Sequence, residues 1–260
     1  MKKTMKIFSL ATMIVAATAG AALATPSTQI WIPSTDIQAF GTVHLGIDNY
    51  FRASTNPASL TGRDANVLDI GPEVGILPFE KIQAEIGFDY LVIAQNPNDS
   101  HPFSGNFKLG TPEDSLFKFS PALAVGMYNV GPTNYNKIIA SAITSGQNIV
   151  YGLAARTLPI IGRISAGGYH GSERALHDLN GHSANDGALV SWDRTISEIS
   201  DKLWLAVDYM SGNNVNGAVS FGGSWAFAKN VSLLVGYDIY THKDISGANT
   251  FTVQLDINIP

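Results

Sequence analysis

Hydrophobic and polar residues alternate along most of this chain with the two-residue period of a β-strand. The pattern is cleanest at the end, where Phe251, Val253, Leu255, Ile257 and Ile259 interleave with Thr252, Gln254, Asp256 and Asn258. One face of the stretch from Thr250 to Pro260 is therefore apolar and the other polar. Its length matches the roughly 9–11 residues that a tilted strand needs to cross a bilayer. A soluble sheet over a dry core would show the same face once, so the argument rests on repetition.

The pattern does repeat. Period-two segments are expected near Gln38–Tyr50 (Val43, Leu45 and Ile47 against His44, Gly46 and Asp48), Asn66–Ile76, Lys81–Ile93, Phe103–Leu109 and Ser115–Asn129. The second half adds Asn148–Arg156 with Ile149, Tyr151 and Leu153 as its apolar face, Arg163–Tyr169, Gly187–Asp193, Lys202–Tyr209, Val215–Phe227 and Val231–Tyr240. With the terminal strand this makes about twelve, an even number in the range of membrane barrels.

The connections sort by parity. Those after odd strands are mostly long and rich in Gly, Asn, Ser and Pro: Arg52–Ala65, Gln95–Pro102, Val130–Gln147, His170–Asp186, Ser211–Asn214 and Thr241–Asn249. Those after even strands are mostly tight: Leu77–Glu80, Gly110–Asp114, Thr157–Gly162, Arg194–Asp201 and Ala228–Asn230. Short turns on one rim and long loops on the other are what a barrel threaded from one side of a membrane produces. The fold class this predicts is all-β, a closed antiparallel transmembrane β-barrel of about twelve strands spanning 38–260, with both termini on the short-turn side.

Composition sharpens the picture. Residues 1–24 read as a secretory signal peptide: Lys2, Lys3 and Lys6 precede a short apolar run, and Ala22-Leu23-Ala24 offers a cleavage site. Without it, 13 basic residues face 21 acidic ones, a net charge of −8, which argues against nucleic-acid binding. There is no cysteine, so neither disulfides nor thiol chemistry is available. Residues 25–37, polar and proline-punctuated around Ile30-Trp31-Ile32, are expected as a periplasmic lead-in packing at a barrel mouth or inside it.

Strand period, loop parity, aromatic strand ends and the terminal strand together resemble the bacterial outer-membrane β-barrels of the porin-like class. The segments Trp31 to Asp36 and Ser191 to Asp201 are similar to uncharacterised proteobacterial exported proteins, a resemblance that implies no activity. Such barrels usually end in Phe or Trp, whereas this chain ends Ile259-Pro260. The resemblance implies a Gram-negative outer membrane as the location, and membrane lipid, small polar solutes and the barrel-assembly machinery as partners.

A motif of small residue, apolar residue, Asp and aromatic recurs at Asp48, Asp89, Asp208 and Asp238, each near the outer end of an odd strand. These four are expected to form an acidic belt in the lumen, or else to tie down loops. Lys81, Lys108, Lys118, Arg156, Arg163 and Lys202 fall near the short-turn ends and are expected to form a basic lumen-lining belt. Lys81 and Asp89 would lie roughly 26 Å apart at ~3.3 Å per residue. That exceeds a Debye length of about 8 Å, so the belts would act separately, with Glu73, Glu85, Asp193 and Asp256 at hand for local pairing.

On the same register Gly46, Gly87, Gly126, Gly152, Gly222 and Gly236 point inward, and Tyr90, Tyr209, Tyr237, Trp192 and Trp225 face lipid. The apolar patch Ile138-Ile139-Ala140 of the Val130–Gln147 loop is expected to fold into the lumen as a constriction.

The function expected is a passive pore or binding channel for small polar or charged solutes, without cofactor or metal. Two alternatives share the barrel: a closed structural barrel, and an outer-membrane enzyme of lipase or protease type. A third is a soluble exported β protein with its apolar faces packed as a core. His44 faces the lumen, and His101, His170, His177, His182 and His242 lie in or beside loops, but no Gly-x-Ser-x-Gly or His-Glu-x-x-His motif is present. The cluster of His170, His177, Asp178 and His182 matches no metal-ligand spacing.

Overall fold

A computed structural model describes residues 27–56, 62, 64–93, 101–133 and 145–260; the expected signal peptide and the Ile138-Ile139-Ala140 patch lie outside them. Twelve strands follow in order: β1 (Val43–Arg52), β2 (Val67–Gly75), β3 (Gln83–Ile93), β4 (Phe103–Thr111), β5 (Ala122–Val130), β6 (Ile149–Leu158), β7 (Gly162–His170), β8 (Asp186–Thr195), β9 (Leu203–Met210), β10 (Ala218–Ala228), β11 (Val231–Tyr240) and β12 (Thr250–Ile259). Each pairs antiparallel with its sequence neighbours. β1 pairs with β12 from Val43↔Ile259 to Arg52↔Thr250, which closes the barrel. Closure leaves no sheet edge, so the wall pairs its own backbone groups, as a wall in hydrocarbon must.

The apolar parity faces out. Phe51, Ile86, Phe88, Phe107, Val125, Val190, Val207, Phe221, Val235 and Phe251 are exposed, while Asp208, Ser220, Asp238, Thr252, Gln254 and Asp256 are buried. Large apolar side chains ringing the outside, with polar ones enclosed, invert a water-soluble domain and suit lipid as the outer solvent. Tyr90 packs on Phe103 and Tyr237 on both Phe221 and Phe251, an aromatic girdle toward one rim. Trp192 and Trp225 belong to the outward parity near the other rim, where Trp192 Nε1 donates to the Ile161 carbonyl (2.7 Å).

Loop lengths keep their parity. Tight turns at 159–161 and 229–230 contrast with connections at 131–148 and 171–185 across the barrel. The two rims are called here the turn rim and the loop rim.

Two stretches depart from the period-two expectation. Ser115 to Phe119, expected in the fifth strand, is instead part of the 112–121 turn. The Asp114 amide donates to Ser120 O (3.0 Å), and Asp114 and Phe119 take the left-handed φ values of 60° and 67°. Pro121 cannot donate to a ladder, so β5 begins only at Ala122. In β6 the faces are reversed: Ile149, Tyr151, Leu153 and Ala155 are buried inside, and Val150 is exposed outside. Gly152 and Arg156, expected inward, therefore sit on the outer parity. The stretch is apolar or small on both faces, so its own pattern fixes neither.

Arg156 is thus not a lumen residue. It reaches the turn rim, paired with Asp114 (2.9 Å) and Glu113 (3.3 Å). Its hydrogen bond holds the exposed Asp114 carboxyl below the usual carboxylate range.

Candidate functional site

The lumen is partly filled by the chain's own N-terminal segment. Near the turn rim, Phe40 bridges to Gly75 as the segment joins β1; inside, residues 27–34 reverse in a tight turn with Ile30-Trp31 at its tip. The turn closes through Gln29 N to Ile32 O (2.7 Å) and Ser34 N to Ser27 O (3.0 Å). Of the two placements expected for this segment, at a barrel mouth or inside it, residues 27–34 take the second.

Local chemistry explains the docking. Ile30 and Ile32 are 1% and 0% exposed. Ile32 packs with Ile149, Tyr151, Leu153, Tyr169, Leu176, Leu189 and Met210, the inward apolar face of β6 to β9 and the loop above it. Burial of each isoleucine contributes about 1.5–3 kcal/mol. This packing is the physical reason for the reversed faces of β6: its apolar residues have a partner inside.

Polar anchors fix the segment's register. Asp208 Oδ2 accepts from the Ile30 and Trp31 amides (2.8 and 2.9 Å). Gln29 Nε2 donates to Asp193 (3.0 Å) and Gln254 Nε2 to the Ile30 carbonyl (2.7 Å). Trp31 donates through Nε1 to Asn216 O (2.8 Å) and meets Tyr50 and Tyr240 edge-on at 5.4 and 5.7 Å.

The expected basic belt is dispersed. Lys108 is buried, its ammonium held by Glu85 (2.8 Å) and by the carbonyls of Ser27 (2.9 Å) and Asp36 (2.8 Å). Arg163 grips Asp36 with both terminal nitrogens (2.6 and 2.8 Å) and Asp193 through Nε (2.9 Å). These two cations clamp the lead-in, and each also borders one of the two spaces beside it. Lys81 and Lys118 are exposed and lie in turns ahead of their strands, so the lumen-lining role expected of them is corrected, as it is for Arg156; Lys202 also precedes its strand but borders the space beside the lead-in at the turn rim. Period-two counting carried each strand too far toward the rim.

The acidic belt is inside but divided. Asp208 holds the lead-in, and Asp238 accepts from the Thr250 hydroxyl (2.7 Å) against the wall. Asp48 and Asp89 face open space together with Asp69 and Glu73 of β2. The four-residue motif missed those last two, because neither precedes an aromatic. Their polar parity between Leu68, Ile70 and Val74 was the available signal.

Two cavities flank the lead-in, and Thr28 touches both. One of ≈ 500 Å³ opens among Asp36, Arg163, Arg194, Lys202 and Trp204 at the turn rim. The other, of ≈ 240 Å³, runs along β1 to β4 toward Arg52 and Asn129 near the loop rim. Its acidic wall is seated on glycines. Asp48 stands directly opposite Asp69, and His44 opposite Glu73. Asp89 lies across Gly71, where a Cβ would come within 2.3 Å of Asp89 Oδ1, and Glu73 lies across Gly87, where it would meet Glu73 Cγ at 2.5 Å. Gly46, Gly87, Gly126, Gly222 and Gly236 belong to the inward parity, as expected.

Of the carboxylates set aside for local pairing, Glu85 takes Lys108, Asp193 takes Arg163, and Asp256 lies 3.6 Å from His44. Among the described residues, Asp48, Asp69, Glu73 and Asp89 form no ion pair with a basic side chain. Arg52, at the loop-rim end of β1, donates instead to the carbonyls of Ala65 (2.9 Å) and Ala248 (2.6 Å).

The histidines are engaged locally. His44 meets Asn258 (2.8 Å), His170 meets Asp186 (2.7 Å), and His182 meets Asp178 (3.3 Å). No group of three or more His, Cys, Asp or Glu among the described residues is arranged to hold a metal ion.

No protein family model and no curated protein matches the chain. Several solved structures are similar to it. An outer membrane channel from Pseudomonas putida F1 is 12% identical, with a TM-score of 0.46 over 86% of this chain and 96% of that one. A NanC porin is 8% identical, with a TM-score of 0.43 over 83% and 99% of the two chains. OmpF of Salmonella typhi, in a complex with daunomycin, is 8% identical with a TM-score of 0.40 over 84% and 96%. The chain itself is a closed barrel of twelve antiparallel strands with its N-terminal segment lodged in the lumen.

Proposed function

We propose that this protein is a passive outer-membrane channel for small solutes, with a preference for cations. The observation that carries the reading is the acidic wall of Asp48, Asp69, Glu73 and Asp89, which faces the ≈ 240 Å³ cavity beside the lead-in and forms no ion pair among the described residues, while the cations that share the lining are engaged elsewhere, Lys108 with Glu85 and Arg52 with two carbonyls. Field lines from carboxylates are focused in a cleft with low-dielectric walls, which raises the local concentration of cations and repels anions. Twelve strands lie between the eight that side chains fill and the sixteen that leave an aqueous channel. The lead-in narrows that intermediate bore to the strip along β1 to β4. Loops outside the cell and turns in the periplasm are the orientation that goes with export through a signal peptide. Conduction of this kind needs no cofactor and no catalytic residue.

Planar-bilayer recording in a potassium chloride gradient tests it. A reversal potential of cation-preferring sign is expected, displaced toward zero in Asp48→Asn/Asp89→Asn. A folded barrel without discrete conductance steps, or with anion preference, would overturn the reading.

A further inference from the structure

We propose that the ≈ 240 Å³ cavity is a binding site for a small organic monocation, an amine or guanidinium carried on a compact apolar body. The inference rests on reading the lumen as the solute's path and names the class of solute that fits it.

The cavity has two unlike walls. On β1 to β3 stand Asp48, Asp69, Glu73 and Asp89; across from them are Trp31, Tyr128, Tyr151, Met210 and Val215. An inorganic ion has no use for the second wall, and an anion is repelled by the first. Like charges directly opposite one another on neighbouring strands are destabilising, and Asp48↔Asp69 is such a pair. A cation between them relieves the repulsion.

A second observation points the same way. Asp69 Oδ1 and Glu73 Oε2 are closed off from solvent and have no hydrogen-bond partner among the described residues. A buried acceptor without a donor is costly, and a ligand with several N–H donors supplies one once the carboxylate turns that oxygen toward the cavity its residue lines.

The aromatic and thioether wall opposite the carboxylates gives a bare metal ion nothing to bind. No triad of metal-ligating side chains converges there among the described residues. Aromatic faces in this lumen already take a cation: the Arg52 guanidinium stands 5.4 Å over the Tyr240 ring. The volume falls below the roughly 300–1,000 Å³ of sites for drug-sized molecules, which limits the ligand to a small one.

Calorimetric titration of the folded, full-length barrel in detergent tests the site with three probes of similar shape: phenethylammonium, phenethyl alcohol and phenylacetate. Phenethylammonium is expected to bind, and the alcohol and the acid to bind about tenfold more weakly or worse. Asp69→Asn/Glu73→Gln is expected to lose a similar factor, and Trp31→Leu to weaken the aromatic cation more than methylammonium. Asp48→Asn serves if the double variant does not fold.

Phenethylammonium that binds no better than the alcohol, or binds equally to the carboxylate variants, overturns the proposal. A cation-preferring potassium current that phenethylammonium neither binds beside nor blocks also overturns it and leaves the channel standing. Carboxylate-dependent binding in a barrel that passes no current supports the site and ends the channel reading.

Discussion

A barrel lacking residues 27–37 is expected to pass several-fold more current than the full-length chain under the same voltage. The wall should survive the deletion, because closure rests on the β1–β12 ladder from Val43↔Ile259 to Arg52↔Thr250, which the lead-in does not enter. What leaves the lumen is a buried turn with Ile30, Trp31 and Ile32 at its core, together with the chain that returns toward the turn rim. The cavities of ≈ 500 and ≈ 240 Å³ that it separates would then join.

The deletion costs stability. Two buried isoleucines are lost at about 1.5–3 kcal/mol each, and Asp208 and Arg163 lose partners, which lumen water then replaces. A second variant reaches the same end without truncation. Gly75→Val places a side chain where a Cβ alone would lie 2.1 Å from the Ala39 carbonyl and 2.4 Å from that of Gln38. The segment must shift where it passes β2, so openings should become larger or more frequent. Single-channel conductance measured beside heat-modifiable gel mobility, which reports folding, checks both variants. Unchanged conductance in a folded deletion barrel would mean that the lead-in does not limit the path.

The second large effect is on stability. Lys108→Met is expected to destabilise the folded barrel by about 3–5 kcal/mol, because it leaves the Glu85 carboxylate buried without its charge partner. Glu85 is 2% exposed and Lys108 4%, so water reaches neither readily. The lysine also ties the wall to the lead-in through the carbonyls of Ser27 and Asp36. Those two acceptors lose their donor as well.

Adding Glu85→Gln to Lys108→Met should recover a large part of the loss, since a neutral amide can remain buried at less cost than an unpaired charge. The Gln38 amide, which donates to Glu85 Oε2 at 2.7 Å, still finds an oxygen in the glutamine. Urea unfolding in detergent, followed by tryptophan fluorescence, measures the series. A Lys108→Met barrel within about 0.5 kcal/mol of the parent, the range of inconsequential surface changes, would show that the pair bears no structural weight.

The sequence alone determined the wall. Alternation with period two is a direct consequence of strand geometry, and a closed barrel offers each strand the same two surroundings. Segments near Val231–Tyr240 and Thr250–Ile259 therefore announced both their extent and their outward face. Loop parity was legible for the same reason, since connection length is written in the chain. The inward placement of Asp48, Asp89, Asp208 and Asp238 followed from parity too.

Only the tertiary structure decided what happens inside. In β6, Ile149-Val150-Tyr151-Gly152-Leu153-Ala154 offers apolar or small residues to both sides, and burial against Ile32 and Leu176 selects one. Arg156 went to the outside with that choice. Whether a carboxylate is free or occupied depends on partners far away in sequence: Asp208 is held by amides 177 and 178 positions earlier, while Asp89 accepts from Asn106 across a hairpin. Alternation reports which face a residue is on. It carries no information about what fills the space that the face looks into, because that space is filled by segments remote in the chain.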